Sequence, residues 1–116
     1  MVALGDRTAA VMANHDELRD RVLAAGEGAG EPLWPMPLPD HIRKGIDSDL
    51  ADLKNMGNNP YGGAMTAGVF LREFVDGRPW AHLDIAGPAF ASAPYDETPK
   101  GGTGFGVRTL AKVLAG

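Results

Sequence analysis

The stretch TAAVMANHDELRDRVLAAG, residues 8–26, decides the fold class of this chain. Its first part, Thr8–Ala13, is a short apolar run between turn-forming residues, which is typical of a buried strand. Leu18, Val22 and Ala25 then recur at helical spacing and predict a helix with one apolar face. A buried strand that leads directly into such a helix is the unit from which α/β proteins are built.

The ends of this helix can also be predicted from local chemistry. Asn14 is expected to cap its N-terminus, with Glu17 as the reciprocal partner of a capping box. Gly26 is expected to end it in the left-handed conformation. Four prolines between residues 28 and 39 then predict an extended, rigid loop, whose apolar side chains should dock on a core. These side chains are Trp34, Met36 and Leu38.

The rest of the chain continues the alternation of strands and helices. The predicted elements are a helix from Asp40 to about Gly45, a strand at Leu50–Met56, a helix from Gly63 to Val75, a turn at Asp76 and Gly77, a strand from Trp80 to Ala86, a long loop from Gly87 to Gly104 and a last helix marked by Val107, Leu110 and Leu114. In the helix from Gly63, Phe70 and Phe74 are expected to face the core. This order predicts an α/β protein with a largely parallel sheet.

Composition excludes several functional classes. The 116 residues suffice for one domain, and the net charge of −4 comes without a basic run, which argues against nucleic-acid binding. The absence of cysteine excludes disulfides, thiolate metal sites and a cysteine nucleophile, and it fits the cytoplasm. No stretch of 18 apolar residues occurs, so we expect no membrane partner.

Two local patterns could carry chemistry but have simpler explanations. His82 and Asp84 share one face of a predicted strand, yet two ligands do not make a zinc site, which needs three or four. The glycine-rich segment 101–106, before the last helix, could hold an anion or a carboxylate on backbone N–H groups near Lys100. A tight loop closing onto the helix explains the same glycines equally well.

Five segments together carry a family resemblance. They are GEPLWPMPL (30–38), LADLKNMG (50–57), GGAMTAGVFLREFV (62–75), WAHLDIAGPA (80–89) and KGGTGFGVRTL (100–110). In order and spacing they resemble the C-terminal part of the leucyl aminopeptidases, also called cytosol aminopeptidases. The resemblance covers essentially the whole chain. It implies the C-terminal part of a three-layer α/β/α peptidase domain.

The resemblance also implies an activity. Members of this family are hexameric two-metal enzymes that release N-terminal residues, such as leucine, from peptides. Two divalent ions, manganese or zinc, polarise the water and the scissile carbonyl. The family signature NTDAEGR, which supplies ligands, does not occur in this sequence. Residues 1–116 are therefore expected to be a C-terminal fragment of the catalytic domain, with no catalytic residue and no metal ligand of its own.

What carries over from the family is one wall of the substrate pocket. The resemblance aligns Met56, Ala86 and Ala89 with apolar residues that line the pocket for the N-terminal side chain. We expect peptides as substrates, no metal bound by the isolated chain and no peptidase activity from it. The alternative is a non-catalytic interaction module that pairs with another subunit through an unpaired sheet edge.

Overall fold

The computed structural model describes residues 4–42 and 63–116. Along the chain, these residues form β1 (Ala9–Ala13), α1 (Asp16–Ala29), β2 (Leu33–Pro35), α2 (Gly63–Arg72), β3 (Ala81–Asp84), β4 (Phe90–Ala91), β5 (Gly101–Gly102) and α3 (Val107–Ala115). The α/β class is thereby confirmed. No helix in the described ranges is long and apolar enough to cross a membrane.

The central sheet has β1 in the middle, flanked by β2 and β3. Strand β1 pairs with β2 in parallel and with β3 in antiparallel orientation. Burial on both faces explains its unbroken apolar sequence, because Ala9, Ala10, Val11 and Met12 are all buried. The predicted strand Leu50–Met56 and most of the helix predicted from Asp40 lie outside the described residues.

The predicted caps of α1 are wrong at both ends. The N-cap is His15, whose Nδ1 accepts a hydrogen bond from the Leu18 N–H at 3.3 Å. The helix continues past Gly26 to Ala29, and Gly30 closes it at φ 71°. Gly26 is needed for another reason, since a Cβ there would lie 2.8 Å from Leu33 Cγ.

Asn14 joins two strands instead of capping a helix. Its Nδ2 donates to the Arg78 carbonyl at 2.8 Å, and its Oδ1 accepts from the Trp80 N–H at 2.7 Å. These contacts fasten the end of β1 to the chain entering β3. The predicted turn at Asp76 and Gly77 is confirmed, with φ of 55° and 71°.

Two predicted loops contain strands. The 28–39 segment includes β2, whose Trp34 is 61% exposed instead of docked on the core. The 87–104 segment includes the antiparallel pair β4 and β5. Each strand is only two or three residues long, too short for a two-residue period to be visible in the sequence.

The helices α2 and α3 expose part of their apolar faces. Just after α2, Phe74 is 66% exposed although its ring meets that of Phe70 at 5.2 Å between centroids, so the core position predicted for Phe74 is wrong. In α3, Val107, Leu110 and Leu114 are exposed, while Thr109 is fully buried. The small-residue side of α2 does approach β1, because a Cβ on Gly68 would lie 2.9 Å from Met12 Sδ.

Candidate functional site: the turn after β3

Ala86 and Ala89 lie on one tight turn that follows β3. The Asp84 carboxylate accepts a hydrogen bond from the Ala86 N–H at 3.1 Å, and the Ala89 N–H donates to the Ile85 carbonyl at 2.9 Å. Ala86 is exposed and Ala89 is half-buried. Two of the three residues predicted to line a pocket are therefore neighbours on one backbone turn. The third, Met56, lies outside the described residues.

One side of this turn is packed against the N-terminal segment. A Cβ placed on Gly87 would lie 2.5 Å from the Gly5 carbonyl oxygen and 3.2 Å from Asp6 Cα. Both contacts are with backbone, so a larger residue could not be accommodated by turning a side chain. Pro88 beside it is fully buried.

The other side of the turn is held by the segment that precedes α3. Thr103 donates its backbone N–H to the Ala89 carbonyl at 2.9 Å and its hydroxyl to the Pro88 carbonyl at 2.6 Å. The same hydroxyl accepts a hydrogen bond from the Phe105 N–H at 3.2 Å. One residue thus fixes two successive carbonyls of the turn and one amide of its own loop.

A cleft of about 250 Å³ lies next to this segment. Thr103, Phe105 and Arg108 line it, as do Arg7 and Tyr95, whose guanidinium and ring lie 3.9 Å apart. Neither Ala86 nor Ala89 lines this cleft. The proposed pocket wall and this cleft are therefore distinct places that share Thr103 as a neighbour.

The N-terminus of α3 already binds a carboxylate, that of Glu31. Its oxygens accept hydrogen bonds from the Gly106 N–H at 3.0 Å and from the Thr109 N–H at 2.9 Å. Burial alone raises the pKa of this carboxyl, but the hydrogen bonds from Thr109 and Gly106, with Arg108 nearby, outweigh it and hold the pKa below its usual 4.5. Within segment 101–106, the Gly106 amide is thus taken by Glu31, and the amides of Thr103 and Phe105 donate to the Ala89 carbonyl and to the Thr103 hydroxyl.

Comparisons with known proteins place this arrangement in a family. The model of the cytosol aminopeptidase family, catalytic domain, matches residues 1–111. The chain belongs to the cytosol aminopeptidase family.

Relatives and solved structures agree with this assignment. A probable cytosol aminopeptidase of Streptomyces coelicolor is 60% identical over 115 residues, covering 97% of this chain and 22% of the relative. The bottromycin maturation enzyme BotP in complex with Mn superposes with a TM-score of 0.92 at 48% identity, over 97% of this chain and 25% of that one. A tomato leucine aminopeptidase mutant superposes with a TM-score of 0.89 at 40% identity, over 100% and 22% of the two chains. The chain therefore spans about a quarter of the length of these relatives.

The acidic and histidine side chains in the described part of this cytosol aminopeptidase chain are spread apart. Among residues 4–42 and 63–116, no three His, Asp or Glu side chains are grouped closely enough to hold an ion. His82 stacks on Trp80 at 6.1 Å, and burial lowers its pKa below 6.5, an effect that the Asp84 carboxylate partly offsets. Asp84 is also engaged by the Ala86 amide. Asp84 therefore supports the turn, whereas His82 packs on Trp80.

Sequence reasoning missed the residues that hold this site together. Thr103 stood in a glycine-rich segment considered only for its backbone, and Glu31 stood in a segment considered only as a loop. Both act over long distances in sequence, Thr103 across 15 residues and Glu31 across 75 to 78. A capping carboxylate normally lies next to its helix, so local spacing gave no signal for Glu31.

Proposed function

We propose that this chain is the C-terminal part of the catalytic domain of a metal-dependent aminopeptidase, which releases N-terminal residues such as leucine from peptides. In this proposal the chain supplies structural support and one wall of the pocket for the N-terminal side chain. The observation that carries it is the turn after β3, where Ala86 and Ala89 stand together at the end of a strand.

The metal ions are proposed to be held by residues that this chain does not contain. The described residues offer no group of three ligands, and the family signature is absent from the sequence. The related enzyme BotP forms a complex with Mn, which supports a divalent ion, manganese or zinc, in the full-length enzyme. The chain by itself is predicted to bind no catalytic metal and to have no peptidase activity.

A hybrid enzyme tests the proposal. In it, this chain replaces the matching segment of the Streptomyces coelicolor relative, to which it is 60% identical. The hybrid should hydrolyse leucyl p-nitroanilide in the presence of manganese or zinc, whereas the separate chain should not. Hydrolysis of leucyl anilide by the separate chain, or an inactive but folded hybrid, would contradict the proposal.

Substitution of the wall tests its placement. Ala86→Leu and Ala89→Leu should each shift the substrate preference of the hybrid from leucyl towards alanyl p-nitroanilide. The reason is that a larger side chain on the wall narrows the pocket for the N-terminal side chain of the substrate. Ala111→Leu, on the exposed side of α3, is the matched control and should leave the preference unchanged. If all three variants keep the leucyl preference and the activity of the hybrid, the turn is not the pocket wall.

The same family relationship supports a cytoplasmic hexamer as the working form of the full-length enzyme. Light scattering of the hybrid after size-exclusion chromatography measures its mass directly. The alternative, a non-catalytic module that pairs with another subunit, is not favoured, since the family matched over residues 1–111 is an aminopeptidase family.

A further inference from the structure

We infer that Thr103 is a positioning residue that sets the location of the Ala86–Ala89 turn and thereby the side-chain preference of the pocket. The inference rests on the proposed function and adds to it a residue that does not itself line the wall. It is drawn from three hydrogen bonds and from the packing around the turn.

The contacts within the turn do not determine where the turn lies in the protein. Ala86 and Ala89 present only methyl groups, so the wall that they form lies wherever the backbone places it. The internal hydrogen bonds, from Ala86 N–H to Asp84 and from Ala89 N–H to the Ile85 carbonyl, fix the shape of the turn. They do not fix its distance from the rest of the protein. That distance depends on contacts made from outside.

Thr103 supplies one set of these contacts. It holds the Ala89 carbonyl through its amide and the Pro88 carbonyl through its hydroxyl. The backbone of Gly5 and Asp6, which lies against Gly87, supplies another. Two backbone segments thus hold the turn, and loss of the Thr103 hydroxyl removes part of one of these two supports.

The Thr103 hydroxyl donates one hydrogen bond and accepts another, and the direction of each is fixed by its partner. A carbonyl oxygen can only accept, so the single proton of Thr103 Oγ1 points to Pro88, and its lone pair accepts from the Phe105 N–H. Serine can make both bonds and valine can make neither, although valine has nearly the same shape as threonine. Backbone geometry nearby is also constrained, since Gly101, Gly104 and Gly106 have positive φ of 119°, 69° and 99°. The loop that carries Thr103 therefore has a defined conformation from which the side chain can act.

The experiment compares two threonines in the hybrid enzyme. Thr103→Val removes both hydrogen bonds of the hydroxyl and should change the ratio of kcat/KM for leucyl and alanyl p-nitroanilide by about fivefold or more. The change should appear mainly in KM. Thr103→Ser keeps the hydroxyl and should therefore have the same leucyl-to-alanyl ratio as the unmodified hybrid. Thr103→Ala provides the same comparison if the valine variant does not fold.

Thr109→Val is the matched control, because Thr109 also donates its hydroxyl over 2.6 Å to a buried partner but lies away from the turn. It should lower the melting temperature and leave the leucyl-to-alanyl ratio unchanged. Equal shifts of the ratio in both valine variants, or a ratio unchanged in Thr103→Val, overturn the inference. If the ratio is unchanged in Thr103→Val but altered by Ala86→Leu, the proposed function stands and only the role of Thr103 falls. If the Ala86 and Ala89 variants have no effect either, the proposed pocket wall and the role of Thr103 fall together, whereas the aminopeptidase proposal is decided by the activity of the hybrid.

Discussion

The carboxylate of Glu31 accepts a hydrogen bond of 2.6 Å from the hydroxyl of Thr109, although 78 residues separate the two. Glu31 follows α1, and Thr109 lies in the first turn of α3. The same carboxylate oxygen accepts from the Thr109 N–H at 2.9 Å, and the other accepts from Gly106. A negative charge at a helix N-terminus is stabilised by the helix dipole, so this contact both caps α3 and ties it to α1.

Replacing Glu31 should therefore destabilise the protein. Glu31→Gln removes the charge and directs an amide group towards backbone donors, which should cost about 2 kcal/mol in the free energy of unfolding. Urea unfolding followed by circular dichroism measures the loss. Glu27→Gln, at an exposed position of α1, is the control and should change stability by less than about 0.5 kcal/mol.

Glu31 and Thr109 should also be energetically coupled. Once Thr109→Val has removed the hydroxyl, Glu31→Gln should cost less than it does in the unmodified protein, because the two changes remove a shared hydrogen bond. A double-mutant cycle of unfolding free energies measures this coupling. Strictly additive effects of the two substitutions would show that the contact contributes no free energy.

The lowered pKa of Glu31 predicts a loss of stability in acid. A carboxyl whose pKa is lower in the folded than in the unfolded state stabilises the fold above its unfolded pKa. This contribution is lost as the pH falls from about 4.5 through the lower pKa of the folded state. The stability difference between the unmodified protein and Glu31→Gln should therefore shrink on acidification from pH 7 towards pH 3. A difference that stays constant over this range would contradict the assignment.

The sequence predicted those features that depend on neighbours along the chain. Thr8–Ala13 was predicted as a strand because a buried central strand must be apolar on both faces, and β1 is confirmed there. The end of α1 was predicted four residues early, because Gly26, Gly28 and Gly30 offer three possible caps. The choice depends on Leu33, which packs where a side chain on Gly26 would be.

The candidate site was predictable only in part, because it too depends on contacts between residues that are distant in sequence. Ala86 and Ala89 were indicated by the family resemblance, and no property of an alanine in a loop would have singled them out. Thr103 became visible only when the fold brought it to the Pro88 carbonyl. Asn14 illustrates the opposite error, since its local capping role was plausible but its partners lie 64 and 66 residues away.

Asn14 should contribute to stability through these two distant partners. Asn14→Ala removes the bonds to the Arg78 carbonyl and the Trp80 N–H, and should cost about 1–2 kcal/mol in the free energy of unfolding. Asn14→Asp keeps an acceptor for the Trp80 N–H but places a carboxylate oxygen against the Arg78 carbonyl oxygen, so it should cost at least as much as Asn14→Ala. Equilibrium urea unfolding of both variants checks this order. If both variants unfolded with the same free energy as the unmodified protein, the two contacts would contribute nothing to stability.

Gly87 should be the least replaceable glycine next to the candidate site. Alanine at this position would bring a Cβ within 2.5 Å of the Gly5 carbonyl oxygen, and backbone would have to move on one side of the turn. Such overpacking typically costs about 1–3 kcal/mol. Gly102→Ala is the matched control, because a Cβ there meets nothing within 4 Å and Gly102 lies in β5, next to Thr103. Thermal unfolding should separate the two variants clearly. Equal melting temperatures would mean that the turn is not confined by the N-terminal segment, and the wall proposed at Ala86 and Ala89 would then lack one of its two supports.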